Sequence, residues 1–233
     1  MKGLVLSVAV AAAALVPFLA APSNAATLDV VYQDSLVPTS DIGLQNWQGN
    51  LGMQFQVNSP VTVNALGAFD NGLTSELNGT TGNGIQVGIF TSGGLLVGSS
   101  VLFTPSSLVT QIGGDAFLGV TPFVLGPGSY SIVALNTHNY NQGFTGGNTN
   151  FYQTLNNLNG AITFTGPSTY DFNSLTLGRP VIVDGPPVDR YDAGTFAVTP
   201  LPSTWTMLIA GFLGLGFFAY RGSKKGVAAI AAA

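Results

Sequence analysis

From Met53 to Val57 the chain reads Met-Gln-Phe-Gln-Val, and from Val61 to Ala65 it reads Val-Thr-Val-Asn-Ala, with apolar and polar residues in strict alternation. A period of two puts every second side chain on one face of an extended chain, so each run predicts a strand with one buried face. Similar runs cover Ile85 to Thr91, Tyr130 to Leu135, Ala161 to Thr165, Val181 to Val183 and Thr195 to Val198. In all, about eight to ten strands are expected, and no segment between the two termini carries a helical period. Asn-Gly pairs at 71–72, 78–79, 83–84 and 159–160 take the positive φ angles that tight hairpins require, and Pro127-Gly128 marks a further turn. The expectation for residues 27–198 is therefore an all-β domain: an antiparallel β-sandwich of jelly-roll type rather than a closed barrel.

Both ends depart from this alternation. At the N-terminus Lys2 precedes an apolar run from Leu4 to Ala21, broken by Pro17, and Ser23 and Ala25 supply small residues at the positions a signal peptidase inspects. Residues 1–25 thus read as a secretory signal peptide, cleaved after Ala25, which places the rest outside the cytoplasm. Near the C-terminus, residues 204–220 are apolar and uncharged, at the lower limit of what crosses about 30 Å of hydrocarbon as a helix. Trp205 and Tyr220 bracket the run as interfacial aromatics, and Arg221, Lys224 and Lys225 follow, which by the positive-inside rule keeps the end of the chain in the cytoplasm. Residues 227–233 are a short tail. Ahead of the apolar run stands Pro200-Leu201-Pro202-Ser203-Thr204-Trp205. Two prolines around one residue hold an extended segment that cannot join the helix, and an extended backbone is what a protease needs.

The order of these parts, over 199–226, resembles the PEP-CTERM sorting signal of Gram-negative bacteria: a Pro-x-Pro motif, one hydrophobic helix and a basic cluster at the end. Leu201 stands where the usual motif has Glu, so this is a Pro-Leu-Pro variant. The resemblance implies recognition by an exosortase, an integral-membrane cysteine protease-transpeptidase, after transient residence in the inner membrane. Release or transfer to the cell surface would follow. A single-pass anchor that is never processed would share the helix and the basic cluster. More faintly, LGMQFQVNSPVTVNALGAFDNG, VGIFTSGGLLVGSS and FVLGPGSYSIVALN are similar to the β-sandwich ectodomains often attached to such signals. That likeness implies a structural or adhesive role alongside exopolysaccharide, and no catalytic residue.

Composition narrows the field. The chain is 46% hydrophobic but only 7% charged, so its surface is built from Ser, Thr, Asn, Gln and Gly. There is no Cys, which removes disulfides, thiol catalysis and Cys-based zinc sites together. All ten Asp and Glu lie between Asp29 and Asp192, with only Arg179 and Arg190 as basic residues in that stretch. Such an acidic middle repels phosphate backbones and argues against a nucleic-acid partner.

The sequence carries no G-x-S-x-G elbow, no P-loop and no H-E-x-x-H, and the expectation is that the chain is not an enzyme. Asp70, Asp184, Asp189 and Asp192 fall at turns or strand ends, where accidental carboxylate pairs are common in acidic β-proteins. No cofactor is expected beyond calcium, for which Asp184, Asp189 and Asp192 are the candidate ligands. The stretch from His138, the only histidine, to Tyr152 sets Tyr140, Phe144, Phe151 and Tyr152 among Asn, Gln and Gly. Rings that stack on pyranose faces and amides that bond hydroxyls make this a candidate glycan contact, and Trp47 is a comparable candidate. The alternative function is thus a carbohydrate-binding module with a specific glycan ligand, calcium-assisted if the Asp cluster assembles.

Overall fold

The computed structural model describes residues 28–34, 46–137, 153–165, 168–184, 191, 193–199 and 211–215. Among them lie fourteen strands: β1 (Asp29–Val30), β2 (Tyr32–Asp34), β3 (Trp47–Val57), β4 (Val61–Phe69), β5 (Ile85–Thr91), β6 (Leu96–Phe103), β7 (Thr110–Ile112), β8 (Asp115–Leu125), β9 (Gly128–Thr137), β10 (Gln153–Leu155), β11 (Ile162–Phe164), β12 (Thr169–Tyr170), β13 (Ile182–Val183) and β14 (Gly194–Val198). The number exceeds the eight to ten expected because several are two- or three-residue pieces that only backbone pairing reveals. The fold is all-β, and every pairing is antiparallel.

Strands β1, β14, β4, β8 and β7 form a five-stranded sheet in that order. A seven-stranded sheet runs β13, β12, β3, β9, β5, β6, with β11 also paired to β3, and β10 and β2 make a small ribbon. The two larger sheets share one core. Leu51, Met53 and Phe55 of β3, Val87 and Ile89 of β5, and Ile132 and Ala134 of β9 meet Val63, Leu66 and Ala68 of β4 and Phe196 of β14. Phe55 is fully buried, with its ring 5.0 Å from Phe196 and 5.8 Å from Tyr130. Burying such a ring is worth about 2–3 kcal/mol.

The alternation in β4 does not hold to its end. Its register against β8 shifts between Val63 and Ala65, so that Val63 and Leu66 both face the main core. Ala65 turns instead to a smaller cluster with Val30, Phe117 and Ala197 on the opposite face. A bulge of one residue reverses every side chain beyond it.

The turns differ from expectation in an instructive way. Asn71, Gly72, Gly79, Gly84, Asn159 and Gly160 all have positive φ, as their chemistry demands. Yet none of these Asn-Gly pairs closes a hairpin. Asn71-Gly72 leads into a short 3₁₀ turn, Thr74–Asn78, which Gly79 ends. The hairpins β5–β6 and β7–β8 close instead at Gly93-Gly94 and Gly113-Gly114, where Phe90 pairs with Leu96 and Ile112 with Asp115.

Residues 171–181 link β12 to β13 without forming a strand and cross the outer face of the seven-stranded sheet as a strap. The sheet makes room for it with glycine. Gly52 and Gly88 flank Val133 in one cross-strand row, and a Cβ on Gly52 would stand 3.1 Å from Pro180 Cγ, one on Gly88 3.0 Å from Leu177 Cδ2. One row further along, Arg179 Nε donates to Ser131 Oγ at 3.4 Å. Val133 and Ser131 are buried on a face that would otherwise meet solvent.

Candidate functional site

The register of the seven-stranded sheet lines up Asn50 with Leu135, Leu135 with Gln86, and Gln86 with Leu102, one row across β3, β9, β5 and β6. The neighbouring row, Leu51, Ala134, Val87 and Val101, faces the core. Side chains alternate along each strand, so the Asn50 row lies on the outer face. Leu135, Gln86 and Leu102 of this row floor a groove of about 420 Å³ whose lining also includes Gln48, Thr81, Asn83, Gly84, Asn136, Ser174 and Leu175. None of these residues is ionisable.

Each wall of the groove is fixed by a buried asparagine. Asn50, 1% exposed, holds the strap: its side-chain amide donates to Asp171 Oδ2 at 2.8 Å and to the Thr176 carbonyl at 3.0 Å, and its Oδ1 accepts from Gly178 N at 3.1 Å. The backbones of Asn50 and Asp171 tie the same junction, with Asn50 N donating to Asp171 Oδ1 at 2.6 Å and Asp171 N to the Asn50 carbonyl at 3.0 Å. Asn136 holds the loop before β5. Its Oδ1 accepts from Thr81 N at 3.0 Å, and its Nδ2 donates to the Gly84 carbonyl at 2.6 Å. Asn136 itself sits at φ 65, a left-handed conformation that Asn tolerates better than most residues. Buried amides with their hydrogen bonds made specify one geometry, so both walls are held before any ligand arrives.

A second groove, about 380 Å³, lies toward the other end of the strands between Asp29, Thr62, Leu158, Ala161 and Val198. Asn156 Nδ2 donates to Asp29 Oδ1 there at 2.7 Å.

Trp47, the other candidate glycan contact, is not an isolated exposed ring. It is half-buried against Tyr170 and Phe172, with ring centroids 5.5 and 5.2 Å away, and its Nε1 donates to the Asp171 carbonyl at 2.8 Å. Phe172 is the exposed member of this trio. Asp184 accepts a hydrogen bond from the Tyr191 hydroxyl. Its two expected calcium partners, Asp189 and Asp192, lie outside the described residues, and among the described residues no three His, Asp or Glu gather in a metal-binding group.

Asp70, by contrast, is built into the fold. It is fully buried, accepts from Gly72 N at 2.9 Å and from Gln111 Nε2, and its carboxyl is held above the usual range by burial against the opposing effect of those bonds.

His138, Tyr140, Phe144, Phe151 and Tyr152 lie outside the described residues, between Thr137 at the end of β9 and Gln153 at the start of β10. Ser23, Ala25, the motif from Pro200 to Trp205, and Arg221, Lys224 and Lys225 lie outside them too. Of the expected membrane helix only residues 211–215 are described; they are helical, with Phe212, Leu213 and Leu215 exposed. Among the described residues no helix is long and apolar enough to cross a membrane.

Gln48, Gln86, Leu135 and Leu175 escape sequence reading because only strand register and the strap bring them together. A signal was nonetheless present: a lone glycine inside a strand, as at Gly52 and Gly88, marks the close approach of another segment. Compared with protein-family models, curated proteins and solved structures, the chain matches none.

Proposed function

We propose that this chain is an exported bacterial cell-surface or extracellular-matrix protein. A signal peptide carries it out, an exosortase processes its PEP-CTERM-like tail, and its β-sandwich serves a structural or adhesive role together with exopolysaccharide. The observation that carries this reading is the order of parts at the C-terminus: Pro200-Leu201-Pro202, the apolar run 204–220, then Arg221, Lys224 and Lys225.

The fold adds support from the point where the tail begins. β14 runs between β1 and β4, buried along its whole length, and Thr199 N still reaches the Thr62 carbonyl at 3.3 Å. The domain is thus tied down up to the residue before the motif, and cutting beyond Pro200 would leave its core untouched. We read the sandwich as jelly-roll type because the chain passes from one sheet to the other between β3 and β4, β4 and β5, β6 and β7, and β8 and β9. We read it as non-catalytic.

The test is the intact mass of the protein recovered from the outside of producing cells. Loss of everything after the proline motif, dependent on the cell's exosortase, is the expected result. A mature protein that keeps Arg221 through Lys225 would reduce the chain to an anchored ectodomain.

A further inference from the structure

We propose that the groove on the outer face of the seven-stranded sheet binds an uncharged saccharide segment of a surface polysaccharide. The floor and walls combine two kinds of group that sugars require at once. Leu102, on the floor, and Leu175, on the strap, are 53% and 78% exposed and offer apolar surface to the C–H faces of a pyranose. Gln48, Asn83 and Ser174 set amides and a hydroxyl at the rim. Gln48 is exposed, and its amide makes no hydrogen bond among the described residues, so it is free to bond a ligand. The volume, about 420 Å³, falls within the range of about 300–1,000 Å³ usual for small-ligand clefts.

Charge and backbone pairing choose the class of ligand. Among the described residues no charged side chain lines the groove, and Arg179, the only basic one, sits two rows away on Ser131. An acidic polymer would find no counter-charge in the groove. A peptide strand adds in the plane of a sheet at its edge, whereas this groove opens on the sheet's face, over Leu135 of β9, Gln86 of β5 and Leu102 of β6. What remains is a neutral molecule recognised by hydroxyls and ring faces. The pinned walls lower the ordering cost of binding, which otherwise consumes much of a weak contact's free energy.

This inference relies on the proposed surface role only for the source of the polymer, and it is tested apart from processing. The full chain, kept in a zwitterionic detergent without a sugar headgroup, is run by affinity electrophoresis through native gels. One set contains neutral glucan or galactomannan, another polyuronate. Retardation by at least one neutral polymer is expected, insensitive to added salt because no ionic contact is involved. Gln48→Ala weakens it about three- to tenfold, as for one lost hydrogen bond. Leu175→Asp, at an exposed position that folding does not need, weakens it at least as much, while Leu108→Asp, outside the groove, leaves it unchanged. Retardation by no neutral polymer, retardation by polyuronate alone, or equal retardation of wild type, Gln48→Ala and Leu175→Asp would each overturn the proposal. A protein that is trimmed and displayed but passes freely through every neutral gel would sink the groove and spare the sorting; a full-length, unprocessed binder would do the reverse.

Discussion

On its inner face the seven-stranded sheet presents Leu51, Met53, Phe55, Val87, Ile132 and Ala134 to a closed apolar core. On its outer face the same strands present Asn50, Gly52, Gly88 and Ser131 to a single strap of irregular chain, and Gln86 and Leu135 to the groove beside it. The first face is held by burial, which is large and without direction. The second is held by a few directed hydrogen bonds centred on Asn50, which are small and geometrically exacting. Two covers on one sheet therefore differ in purpose: the inner one makes the domain stable, and the outer one shapes a surface.

The comparison breaks most severely from the inside. Phe196→Ala removes a fully buried ring that packs on Phe55. A loss of about 3–5 kcal/mol in urea denaturation is expected, with every probe shifting together. Should that variant fail to fold, Phe196→Leu would show the same effect on a smaller scale.

Next comes the pin of the strap. Asn50→Ala leaves Gly178 N without its protein partner and takes one donor from the Asp171 carboxylate and one from the Thr176 carbonyl, at a cost of about 1–3 kcal/mol. The sharper readout is local: hydrogen exchange should quicken at residues 171–181 while β4 and β14 stay protected. Uniform loss of protection would mean that the strap is part of the core after all.

Gly88→Ala should cost less, about 1 kcal/mol, because its Cβ would press on Leu96 Cδ1 at 2.9 Å and Leu177 Cδ2 at 3.0 Å, both ends of flexible side chains. Comparison of its urea midpoint with that of wild type checks this, and an unchanged midpoint would show that the strap is loose over the sheet.

The smallest effect is one of pH. Burial raises the Asp70 carboxyl above its unfolded value, so the folded state binds the proton more readily. Stability from this group is therefore greatest in acid and declines as pH rises from the unfolded value of 3.8 through the higher folded one. Asp70→Asn should flatten that decline, and an identical pH profile in both proteins would show that Asp70 does not contribute to it.

What could be read from the chain follows the same divide. The inner face was legible because burial imposes a period of two: the runs at 53–57, 85–91 and 130–135 all lie within observed strands. β8 was not. It contains Pro122, which normally argues against a strand, but β7 covers only Asp115 to Phe117, so the proline stands where β8 is paired to β4 alone. The strap and the groove were illegible for a different reason. Nothing periodic marks residues 171–181, and Gln48, Gln86 and Leu135 become neighbours only through register. The sequence shows Trp47 as an aromatic ring but not its partners, because Tyr170 and Phe172 are more than a hundred residues away along the chain.

The claim that the outer face meets a ligand while the inner face only holds the molecule together is tested most directly by a chemical-shift map. Methyl- and amide-labelled protein would be titrated with an oligosaccharide of whichever neutral polymer retards it. The methyls of Leu102, Leu135 and Leu175 and the side-chain amide of Gln48 should move in a saturable way, with Leu66 and Leu125 in the core unmoved. Shifts that are absent, or that gather around Thr62 and Val198 or around Trp47, would contradict it.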